Sequence, residues 1–289
     1  MILRHREFVA ILAAHFLTFF SSNFLKNALV FLVLLTLPQT EAEGVVAMVS
    51  ATFMVPMIFL SGVGGRMADH YDKRSLARWL KGAEVAFVAV AVGGVIFNDF
   101  WIVLAGLVGM QIVGSLFGPL QSALVVAVLP KERLALANAW IEAGTFSAMV
   151  SGIAFVGFVF ALPEDVRVYV ALGLLLASVG CFLAIQFVPN IPRLRDPAAK
   201  MDWNFLMATK AVVGDLISSE MMRTVALKLA WTWFSASLVL STYAALISRF
   251  TDKTSFVSAV MLIIGVFGVV GAQLAARLKP SEKRVAIFS

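Results

Sequence analysis

Charge is what this sequence has little of: Asp, Glu, Lys and Arg together make up 14% of its 289 residues, while 61% are hydrophobic. Soluble domains carry about a quarter charged residues, so this balance excludes an ordinary water-facing surface and places the chain in a bilayer. Cysteine is scarcer still. Cys181 stands alone, which excludes an internal disulfide, a redox pair and a cysteine-built zinc cluster. No nucleophile–base set, metal cluster or phosphate-cradling glycine loop is present either, so no enzyme activity and no cofactor are expected.

What is there instead is long apolar runs. Crossing the hydrocarbon takes about 20 mostly apolar residues, and runs of that kind lie near residues 8–36, 44–64, 77–98, 101–129, 136–162, 166–188, 224–248 and 256–278, which makes eight expected spans. The first is too long for a signal-peptide core and lacks a small-residue cleavage pattern, so it is expected to be retained.

The basic residues follow the alternation that eight spans impose. Lys and Arg collect on cytoplasmic segments, and 19 of the 23 fall on one expected side, among them Arg66, Lys73, Arg74, Arg78, Lys81, Lys131, Arg133, Arg193, Arg195, Lys283 and Arg284. Three fall on the other side (Arg167, Arg249 and Lys253), and the remaining one is Lys26. Both termini are therefore expected in the cytoplasm. The net charge of +6 needs no nucleic-acid partner to account for it.

The chain divides at its longest polar stretch. Residues 1–188 hold six spans, 189–223 form an expected central cytoplasmic loop, and 224–289 hold two more spans. Pro189, Pro192 and Pro197 break any helix early in the loop, whereas the part after Asp202 is weakly amphipathic and suits the membrane interface. Val63-Gly64-x-x-x-Ala68 near the end of span 2 aligns with Val270-Gly271-x-x-x-Ala275 near the end of span 8, and each is followed by a Lys-Arg pair. Spans 7 and 8 thus read as a repeat of spans 1 and 2, as in transporters built from parallel six-helix halves. On that reading the second half stops after two of its six helices.

The stretch GGRMADHYDKRSLARWLKGAE resembles the loop between helices 2 and 3 of the major facilitator superfamily, with Gly65, Asp69, Lys73 and Arg74 in the motif positions. FGPLQSALVVAVLPKERLALANAWIEAGTF (117–146), NFLKNALV (23–30) and MDWNFLMATKAV in the central loop are similar to the bacterial lysophospholipid transporters, above all the branch fused to an acyltransferase and an acyl-carrier-protein ligase. The resemblance implies an all-α integral membrane fold of the major facilitator type. It also implies transport of lysophospholipid across the bacterial inner membrane for re-acylation, with an acyltransferase/ligase or a downstream fused domain as partner. The loop motif implies a conformational latch in which Asp69 meets a helix dipole. Two family positions depart: Ser22 stands where span 1 usually has aspartate, and Gln121 where span 4 usually has lysine. Losing both charges together avoids leaving one unpaired.

Helical steps of 100° per residue put His15, Ser22 and Lys26 on one face of span 1, flanked by Thr18 and Asn23. Lys26 lies about 18 residues past the cytoplasmic end, roughly 27 Å along the helix. Two roles compete for it. Its ammonium snorkels to the outer headgroups, or it holds a lipid phosphate in a wet cavity; the co-facing His15 and Ser22 favour the cavity. On span 5, Asn138, Glu142, Thr145, Met149 and Gly152 share a face, with Glu142 either a proton, cation or amine contact or a carboxylate bonded to neighbouring helix ends. A Lys26–Glu142 salt bridge is not expected, because the two lie at different depths. On span 4, Gln111, Ser115, Gly118 and Ser122 line one side and read as packing residues. The substrate candidates are therefore Lys26, Asn23, Ser22, His15, Gln121, Asn138 and Glu142. Export of another amphiphile or drug, or a truncated, non-transporting membrane module, remain the alternatives.

Overall fold

The computed structural model describes residues 2–36, 38–162, 165–191 and 205–228, together with residues 230, 231, 234 and 235. The seventh and eighth expected spans and the second copy of the repeat lie largely or wholly outside them. Among the described residues, six helices are long and apolar enough to cross a membrane: α1 (Arg6–Thr36), α2 (Gln39–His70), α3 (Lys73–Phe97), α4 (Phe100–Val128), α5 (Leu134–Phe160) and α6 (Val166–Ile185). A seventh helix, α7 (Phe205–Ser218), occupies the expected central loop after its prolines and packs along α2. No strand occurs among the described residues.

Local chemistry sets the helix ends. Asp72 accepts from the backbone N–H of Ser75 and opens α3 four residues before the apolar run begins. Asn98 takes the left-handed conformation at φ 56° and Asp99 then caps α4 through the N–H groups of Trp101 and Ile102, so two residues turn the chain between α3 and α4. Asp165 caps α6, and the hydrogen bonds from Arg167 hold its carboxyl below the usual carboxylate range.

α1 is the central element, packed against α4, α5 and α6, while α3 packs on α4 and α6 and α2 on α4. Small residues permit the closest approaches. A Cβ on Gly64 would lie 2.6 Å from the Leu116 carbonyl oxygen, so α2 and α4 meet backbone to backbone there. Gly106 does the same for α4 against Ala91 of α3, and Gly109 makes room for the Phe87 ring.

Two apolar cores fill the bundle. One, near the end that carries the N-terminus, contains Phe8, Ile11, Leu80, Phe117, Leu120, Leu124 and Ile185; the other contains Phe24, Leu29, Val88, Leu107, Met110, Val156 and Leu174. Between them runs a layer of buried polar groups: His15, Thr18, Ser21, Lys81, Glu84, Gln111, Gln121, Thr145 and Ser178. Lys81 corrects the sequence reading. It is not a cytoplasmic charge but a fully buried residue of α3, more than two turns in from Lys73, held by an acid one turn further on.

Candidate functional site

The polar layer forms two clusters on neighbouring sides of α1. The first joins three helices through His15. Its Nδ1 lies 2.6 Å from Gln121 Oε1 on α4, and its Nε2 lies 2.7 Å from Thr145 Oγ1 on α5. Thr145 Oγ1 also lies 3.1 Å from the Ile141 carbonyl, so its hydroxyl either donates there and accepts from His15 Nε2–H, or donates to an unprotonated Nε2. The bond at Nδ1 then has two forms. With Oε1 facing the ring, a neutral imidazole donates Nδ1–H to Gln121 and accepts from Thr145; with the Gln121 amide turned over, the ring accepts at Nδ1 and donates Nε2–H to Thr145. His15 thus keeps both partners as a neutral ring in either tautomer.

α4 and α5 scarcely touch each other, and α1 lies behind both, so His15 floors the cleft between them. The rim is open. Gly118 and Ser122 on α4 and Asn138 and Glu142 on α5 are exposed, and a Cβ at Gly114 or Gly118 would meet nothing within 4 Å. The face of α5 expected from helical spacing therefore divides: Asn138 and Glu142 open outward, while Thr145 and Gly152 pack on α1, where a Cβ on Gly152 would crowd Phe20, Asn23 and Phe24.

On α1, Asn23 is buried and its amide donates to the Phe19 carbonyl at 2.8 Å, which leaves its side-chain oxygen as acceptor. Ser22 is buried and Lys26 is half-buried one turn further along. The packing of Gly144 beside Leu12 and His15, and of Gly152 beside Phe20–Phe24, shows that α1 and α5 run parallel with a constant offset. Glu142 consequently lies level with about residue 12, roughly 21 Å below Lys26 along the helix. The depth difference read from the sequence holds in the fold.

The second cluster was missed in the sequence. Lys81 Nζ donates to Glu84 Oε2 at 2.6 Å and to Thr18 Oγ1 at 2.7 Å, and lies 3.7 Å from the centroid of the Phe117 ring. Cys181 Sγ sits 3.3 Å from Thr18 Oγ1 and donates to the Ala14 carbonyl. Four helices meet at this ion pair, and both of its members are buried. Its signal was available: Lys81 and Glu84 are opposite charges at i, i+3 within an otherwise apolar run.

The loop motif also has definite surroundings. Gly65 faces Pro119 at ordinary contact distance, Asp69 is half-buried with no hydrogen bond or ion pair among the described residues, and Lys73 is buried. Arg74 reaches the end of α6, where its guanidinium points at the Gln186 carbonyl.

The sequence that folds into this bundle matches a known family. The model of the Major Facilitator Superfamily matches residues 11–289. The chain belongs to the major facilitator superfamily. It is accordingly a multi-pass membrane protein and a secondary transporter, not an enzyme. Among solved structures of the superfamily, the human organic anion transporter MFSD10 (TETRAN) has a similar fold, with a TM-score of 0.73 at 14% identity over 95% of this chain and 73% of that one. A comparison with curated proteins found no match.

Proposed function

We propose that this major facilitator protein carries a lysophospholipid, or an amphiphile of the same build, across a bacterial inner membrane. On this reading both termini are cytoplasmic and the cargo passes to an acyltransferase. The observation that carries the reading is the separation of polar groups along the α1–α4–α5 cleft. Lys26 stands near one end, while His15 with Gln121 lies toward the other, only about one helical turn above the level of Glu142, and apolar surface flanks all of them. A single headgroup cannot bridge Lys26 and Glu142 across about 21 Å. The three therefore act as successive stations, with Lys26 meeting the phosphate first as a point charge, the neutral Gln121–His15–Thr145 network passing it inward, and Asn138 and Glu142 receiving the amine. Ser22 and Asn23 complete the wall between the first two stations. Asp69, with Gly65, Lys73 and Arg74, serves the conformational change and not the cargo.

The test is uptake of labelled lysophosphatidylethanolamine in cells lacking their own transporter. Uptake that falls roughly tenfold in Lys26→Ala, the loss expected for a hydrogen bond to a charged group, supports the reading. Uptake unchanged in that variant removes Lys26 from the path, and no uptake by the parent chain turns the proposal toward another amphiphile.

A further inference from the structure

At the end of the bundle that carries the N-terminus, α3 and α6 close against each other, with Gly82 in contact with the Phe182 ring. Two guanidinium groups converge there. Arg74 and Arg78, one turn apart on α3, each aim one Nη2 at the same Gln186 carbonyl at 3.4 Å, longer than a full hydrogen bond. The Nε atoms of both are buried without a partner, and no carboxylate lies within ion-pair distance of either among the described residues. Capping the last carbonyl of α6 explains one such cation. It does not explain two like charges sharing a single acceptor while both buried Nε–H groups go without one.

The rim of this site is built for the membrane interface. Trp79, next to Arg78, is 79% exposed, and Phe187, next to Gln186, is 73% exposed. An exposed tryptophan beside paired arginines is the composition of the headgroup level, where indole anchors and guanidinium groups meet phosphate. We propose that Arg74 and Arg78 form a binding site for the phosphate of an anionic membrane phospholipid, whose chains lie along the exposed faces of α3 and α6. The forked geometry of arginine suits two phosphate oxygens better than one carbonyl. The site is remote from the α4–α5 cleft and does not depend on the transported cargo.

The experiment is native mass spectrometry of the 289-residue chain in detergent, counting retained lipid after titration with phosphatidylglycerol or phosphatidylcholine. Arg74→Gln/Arg78→Gln is compared with a control, Arg4→Gln/Arg6→Gln, and with Arg74→Lys/Arg78→Lys, which keeps the charge if the glutamine variant fails to fold. The expected result is preferential retention of phosphatidylglycerol, weakened roughly ten- to thirtyfold in the glutamine pair, the effect of two surface cations. It is weakened severalfold in the lysine pair and unchanged in the control. Equal retention by all variants overturns the proposal. So does displacement of the lipid by millimolar inorganic phosphate alone, which would make the ligand a free anion. A gain of lipid binding in Asp196→Asn/Asp202→Asn would likewise overturn it, because the chain's own acids would then be the occupants.

Discussion

The two polar clusters beside α1 sit at nearly the same height, their α1 members three residues apart, yet they are built on opposite principles. The Lys81–Glu84 cluster is charged, closed over by four helices and backed by an aromatic face; the His15 cluster is formally neutral, bridges two helices that otherwise scarcely meet, and adjoins an open cleft. A buried ion pair is costly to break because removing either member strands the other, and it holds one geometry. An imidazole between an amide and a hydroxyl keeps its partners through a change of tautomer and an amide flip. The comparison separates scaffold from working surface within one bundle: α3 and α6 are pinned to α1, while α4 and α5 are joined across a gap.

The sharpest way to break this contrast is to remove one member of the ion pair. Lys81→Met leaves Glu84 buried and uncompensated, a cost of about 3–5 kcal/mol, and melting in detergent will show a collapse in folded protein that Lys81→Met/Glu84→Met largely reverses. Next in size is Gly64→Val, whose side chain has no room against the Leu116 carbonyl. Overpacking costs about 1–3 kcal/mol, and a cysteine cross-link between α2 and α4 will form more slowly as the helices part. His15→Phe keeps a flat ring, slightly larger, but leaves Gln121 without its partner, for about 1–3 kcal/mol and a loss of uptake larger than the loss of folded protein. Smallest in stability is Glu142→Gln, an exposed change expected to stay within about 0.5 kcal/mol. Its uptake will nevertheless fall if the carboxylate receives the amine.

How much of this was legible in the sequence follows from what each signal measures. Apolar run length located α1 to α6, because crossing the hydrocarbon demands it, but it misplaced helix starts wherever polar residues extend a helix beyond the hydrocarbon. α2 begins at Gln39 and not near 44, and α3 begins at Lys73 behind its Asp72 cap. Helical spacing put His15 among the substrate candidates and set Glu142 and Thr145 on one face of span 5. It did not show that His15 and Thr145 touch, since a face says nothing of which helix lies opposite. Lys81 was assigned by charge alone, a rule that counts sign and not burial, and Glu84 passed unnoticed as its partner. The α2–α4 contact at Gly64 was readable as a small residue beside Ala68, and the fold supplied the facing carbonyl.

The most direct measurement is uptake of labelled lysophosphatidylethanolamine by the folded double variant Lys81→Met/Glu84→Met beside Gln121→Ala, each normalised to correctly folded protein in the membrane. If the ion pair is scaffold and the His15 cluster works on the cargo, the double variant transports at nearly the parent rate while Gln121→Ala loses roughly tenfold, the worth of about 1.4 kcal/mol. A double variant that folds and carries nothing, beside a Gln121→Ala that transports normally, would contradict that division and move the transport path to the other side of α1.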